Sequence, residues 1–132
     1  MSLEKSYELV GRILATLLLS GLRARTIAPA DFGLSEGRDD LLHFVDVVNW
    51  LQREGMISAG TPLLNGTFPN AQLTARGIAA VEAESFNKAG HASVRKAVEA
   101  KPDGKLQADT YSKIGSFVGG LLGGFTQSVS GG

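Results

Sequence analysis

Apolar residues return at helical spacing in two long segments of this chain. Between 4 and 25, Leu9, Val10, Ile13, Leu14, Leu17, Leu18 and Leu22 recur every three or four positions. That spacing predicts a helix with a wide leucine-rich face. Ser2 is its candidate cap, and Lys5 and Glu8 fall on the polar side. Between 38 and 54, Leu41, Phe44, Val45, Val48 and Leu51 mark one face of a second helix. Asp39 and Asp40 stand in its first turn, where the helix dipole favours negative charge, and Gly55 follows where helices commonly end. Thr26 and Ile27 suit a short strand. Pro29 opens a helical turn over 30–32, with Gly33 and Gly37 as punctuation.

Shorter elements come next. Residues 56–58 predict a strand, 59–70 a turn-rich loop around Asn65-Gly66, and 71–73 a returning strand. Thr74 is placed to cap a helix over 75–88. Residues 89–110 are polar and basic. They predict a short helix at 92–100 and a turn at Pro102-Asp103-Gly104. A last helix is expected over 109–129, capped by Asp109 or Thr110. The fold class expected is mostly α with a minor β component.

Within this order, "WLQREGMIS" (50–58), followed after a loop by "LTARGIAAVEA" (73–83), resembles the helix–wing–helix run of winged helix-turn-helix domains. The likeness covers roughly 4–87. It is similar to small phage- and prophage-associated winged-helix proteins. The resemblance implies a domain over 1–88 with a β-hairpin wing; composition then reads 89–108 as a basic polar connector and 109–132 as a glycine-rich amphipathic helix. In DNA-reading members the long helix enters the major groove and the wing meets the backbone.

Charge argues against that use here. The chain has 132 residues with 13 Lys+Arg and 13 Asp+Glu, a net charge of zero. A phosphate-contacting surface needs Lys and Arg. Helix 38–54 carries Arg38 and Arg53 against Asp39, Asp40, Asp46 and Glu54, and loop 59–70 has no charge at all. The outward stripe Asp39, His43, Asp46, Asn49 and Arg53, with Leu64 and Phe68 of the wing, is the expected partner-binding surface. Leu63 belongs to the same apolar loop, which either folds onto the core or offers a contact patch. Another protein is the expected partner. The alternative is a dimeric DNA-binding regulator, whose candidate nucleic-acid contacts are Arg95, Lys96, Lys101 and Lys105. Those belong to the basic segment 88–132, which has six basic against three acidic residues.

The tail "SKIGSFVGGLLGGFTQSVSGG" (112–132) raises a separate question. On a helix, Ile114, Phe117, Val118, Leu121, Leu122, Phe125 and Val129 share one stripe. Gly115, Gly119 and Gly123 share a flank, with Gly120 and Gly124 on the other. These five glycines cost about 4–5 kcal/mol of helix propensity relative to alanine. Such a helix must gain from close packing. It can pack on its own domain or on a second chain. The expectation is self-association, giving a dimer or higher oligomer, through Ile114, Gly115, Phe117, Val118, Gly119, Leu121, Leu122, Gly123 and Phe125. Its apolar run of 12 residues (114–125) is too short to span a bilayer.

Catalytic and cofactor signatures are missing from the pattern. There is no Gly-rich phosphate loop, H-E-x-x-H or G-x-S-x-G. There is no cysteine, which excludes disulfides and thiolate metal sites. Asp39, His43 and Asp46 share a helix face, but one helix supplies too few metal ligands, and Trp50 reads as a core-edge residue. Arg12 interrupts the leucine run, Glu4 and Glu8 oppose a basic leader, and Arg23 and Arg25 follow it, so a signal peptide is not expected. The overall expectation is a cytoplasmic, non-catalytic binding protein without cofactor or metal.

Overall fold

The computed structural model describes residues 2–88, 90–101 and 105–131, and of 123–131 the backbone alone. Helix α1 (Leu3–Leu19) starts at Ser2, whose Oγ accepts a hydrogen bond from the Lys5 amide at 3.1 Å. It stops six residues before the predicted end at 25, because Gly21 turns left-handed at φ +63°. The amides of Ser20 and Gly21 fold back onto the Leu17 and Leu18 carbonyls and close the helix. Leu22, expected on the apolar face, is therefore off the helix and exposed.

Strand β1 (Arg25–Ile27), a 3-10 turn (Pro29–Phe32) and helix α2 (Arg38–Arg53) follow as predicted. Phe44 of α2 stacks on Phe32 at 5.6 Å between ring centroids and meets Phe68 edge-on at 5.9 Å. Strands β2 (Ile57–Ser58) and β3 (Phe68–Leu73) complete a three-stranded antiparallel sheet in the order β1-β3-β2.

β3 begins earlier than the predicted 71 because it serves two neighbours. Its first half pairs with β1, Phe68 opposite Ile27 and Ala71 opposite Arg25. Its second half pairs with β2, Leu73 opposite Ile57. Two steps along β1 match three along β3, and Asn70, at φ +56°, sits in that interval. Asparagine tolerates the left-handed conformation that such a bulge uses.

Thr74 ties the sheet to helix α3 (Ala75–Glu82). Its Oγ1 accepts from the Gly77 amide at 3.0 Å and donates to the Gly55 carbonyl at 2.6 Å. α3 ends before the predicted 88, since Ala83 is extended and a 3-10 turn (Glu84–Phe86) redirects the chain. The turn delivers Phe86 into the core, edge-on to Phe117 at 5.3 Å. The basic segment is more than a connector: helix α4 (Val94–Glu99) buries Val94, Ala97 and Val98 in the same core.

Helix α5 (Ala108–Gly131) packs along α1 in the most extensive helix contact of the fold. Gly11 of α1 lies on the Tyr111 backbone and Gly115 of α5 on the Tyr7 backbone, so the two helices run in opposite directions. Gly119 lies under the Tyr7 ring. This corrects the expectation that the glycine stripe reaches a second chain. Ile114, Gly115, Val118 and Leu122 are buried within one chain, Phe117 and Leu121 are half-buried against the core, and Gly119 faces Tyr7. Close helix approach is what the glycines provide, as expected, but the partner is α1. Gly123 and Phe125 lie outside the residues whose side chains are described. Among the described residues no helix is long and apolar enough to cross a membrane.

Candidate interaction surface

The predicted outward stripe of α2 is only partly outward. Asp39, Asp46 and Arg53 are exposed, Asn49 is half-buried, and Leu42, unremarked in the sequence, is 43% exposed between the two aspartates. Asp39, Leu42, His43 and Asp46 line an open groove of about 560 Å³. Trp50 is half-buried against the core, as its position suggested.

His43 lines this groove and is also tied to α1. Its Nε2 shares a 3.0 Å hydrogen bond with Ser6 Oγ of α1. A serine–histidine pair is one ingredient of nucleophilic catalysis, but the third member is missing. Asp40, one turn before His43, instead accepts from the Ser35 amide at 2.8 Å and from Ser35 Oγ at 2.9 Å. Those bonds, more than the nearby His43, hold its carboxyl below the ordinary aspartate range. The pair therefore works as a cross-helix tie. Among the described residues no group of three or more His, Asp or Glu side chains is arranged to hold a metal.

The β2–β3 loop is a hydrogen-bonded structure. The Leu63 amide donates to the Thr67 carbonyl at 2.8 Å, Gly66 N to the Leu63 carbonyl at 2.9 Å, and Thr67 N to Asn65 Oδ1 at 3.1 Å. Gly66 settles against Leu41 and Val45 of α2 and against Pro29. The loop points two leucines outward: Leu63 is 59% exposed and Leu64 is completely exposed at 104%. Phe68 is a correction. It was expected at the contact surface and is fully buried against Phe44, because β3 starts there and turns it inward.

The basic contacts are dispersed. Arg95 is held by Glu82 and Glu99, which leaves it poorly placed for phosphate. Lys96 and Lys101 are exposed. Lys105 lies instead on a polar cleft of about 860 Å³ with Arg12, Asp31, Asp40, His43 and Tyr111. There Arg12 pairs with Glu8 at 3.0 Å and lies 4.5 Å above the Tyr111 ring, and Asp31 accepts from the Ala28 amide at 2.8 Å. No family model, curated protein or solved structure matches the chain.

Sequence reading passed over Leu42 and the polar cleft. Leu42 falls at helical spacing from Asp39 and Asp46, so periodicity sets it on their face and apart from Leu41. The cleft is assembled from α1, the 29–34 turn, α2 and the start of α5, and no local pattern links those segments.

Proposed function

We propose that this chain is a non-catalytic winged-helix module that binds another protein with α2 and the β2–β3 loop. The winged-helix reading is supported by the order of the elements and by the antiparallel sheet order β1-β3-β2, with the loop between β2 and β3 as the wing. The protein-binding reading rests on one observation: α2 and the loop that would face a nucleic acid expose Leu42, Leu63 and Leu64 together with Asp39 and Asp46. Phosphates require cations there, whereas exposed apolar groups lower the free energy when a protein partner covers them. Self-association through the α5 stripe is left out, since α1 already covers it.

The test is a fluorescence-anisotropy titration of the protein into labelled mixed-sequence duplex DNA at about 50 and 200 mM salt. No binding at either salt is the expected result. Micromolar binding that collapses at the higher salt would replace this reading with the DNA-binding regulator, and Lys96 and Lys101 would be the first residues to mutate.

A further inference from the structure

The leucines of the wing and of α2 do not stand alone on this surface. Leu42 is flanked at i−3 and i+4 by Asp39 and Asp46, so the three share one helix face. Among the described residues neither aspartate has an ion-pair or hydrogen-bond partner. Arg38 and Arg53 stand at the two ends of α2, outside this stretch. The wing turn rests on Leu41 and Val45, one step around the same helix, and carries Leu63 and Leu64. Between Glu54 and Arg76 the chain has no charged residue. Helix α2 thus carries a groove lined by Asp39, Leu42, His43 and Asp46 and, at Leu41 and Val45, supports an uncharged loop with two exposed leucines.

We infer that the occupant of this surface is a cationic amphipathic segment of a partner protein. Its apolar side chains meet Leu42, Leu63 and Leu64, and its Lys or Arg residues meet Asp39 and Asp46. The inference deepens the protein-binding reading and depends on it. The occupant's chemistry follows from complementarity: an anionic partner would be repelled by both carboxylates, and a purely apolar one would leave them desolvated and unpaired. The loop's internal hydrogen bonds hold its backbone before binding, so little backbone-ordering cost falls on this side of the interface.

The test uses the full chain and two labelled helical peptides, one built of leucine and lysine and the other of leucine and glutamate. The expected result is binding of the lysine peptide alone. Leu64→Ser should weaken it about tenfold. The double change Asp39→Lys with Asp46→Lys should reverse the preference toward the glutamate peptide. All three residues are exposed, so circular dichroism of each variant should match the parent. Equal binding of both peptides, or binding indifferent to these substitutions, overturns the inference. If neither peptide binds and duplex DNA is also unbound, the cationic partner is wrong while the protein-binding reading stands. If duplex DNA binds and displaces the lysine peptide, both fail.

Discussion

Gly115 of α5 rests on the backbone of Tyr7 in α1, leaving no room there for a β-carbon. The reciprocal contact, Gly11 on the Tyr111 carbonyl, lies one turn away along the same seam. Gly120, on the other flank of α5, faces open space. The three glycines carry the same propensity penalty, and their surroundings separate them. Gly115→Ala should destabilise the fold by about 1–3 kcal/mol through overpacking. Gly120→Ala should stabilise it by roughly 0.5–1 kcal/mol through helix propensity. Urea unfolding of the two variants checks this, and similar effects of one sign would show that α5 does not lie on α1.

Leu64 and Phe68, both expected at the surface, should part in the same way. Phe68→Ala removes a ring packed on Phe44 and should cost about 3–5 kcal/mol. Leu64→Ser touches no packed atom and should stay within about 0.5 kcal/mol of the parent. Thermal denaturation read by circular dichroism measures both. A large loss at Leu64 would mean that the β2–β3 loop folds back onto the core.

Asp40 gives the fold a dependence on acid. Its carboxylate is favoured in the folded chain by the Ser35 amide and hydroxyl, so its pKa lies lower there than in the unfolded chain. The stabilisation is present above the ordinary carboxylate range and is lost as pH falls through about 4 toward the folded value. Asp40→Asn should lose part of this stability at neutral pH and converge on the parent under acid. Urea midpoints across this range provide the check, and a constant gap between the two proteins would remove Asp40 from the acid limb.

Thr74 serves α3 and the sheet together. Thr74→Ala deletes the acceptor for Gly77 N and the donor to the Gly55 carbonyl, and should cost about 1–2 kcal/mol. Thr74→Ser keeps both bonds and should recover most of that loss. Hydrogen exchange of the Gly77 amide reports on the cap directly, and equal exchange in the alanine variant and the parent would show that the bond is not formed.

Local pattern was enough for most elements of this fold. The leucine period of α1, the acidic first turn and Gly55 stop of α2, and the Thr74 cap each place their own atoms within a turn of the signal, so they were legible without knowing the rest. The same holds for the acidic character of α2 and the uncharged loop at 59–70, since charge is counted along the chain. What required the tertiary structure was every feature with a distant partner. β3 runs through Phe68 because β1 pairs with it from about forty residues away. α3 breaks at Ala83, and the 3-10 turn that follows sends Phe86 to Phe117. His43 is tied to α1 because Ser6 lies across from it. The glycines of α5 announced that a helix would come close, but a small residue carries no label for its neighbour. Only the packed chain, with Gly11 set against Tyr111 and Gly115 against Tyr7, decided that the neighbour is α1.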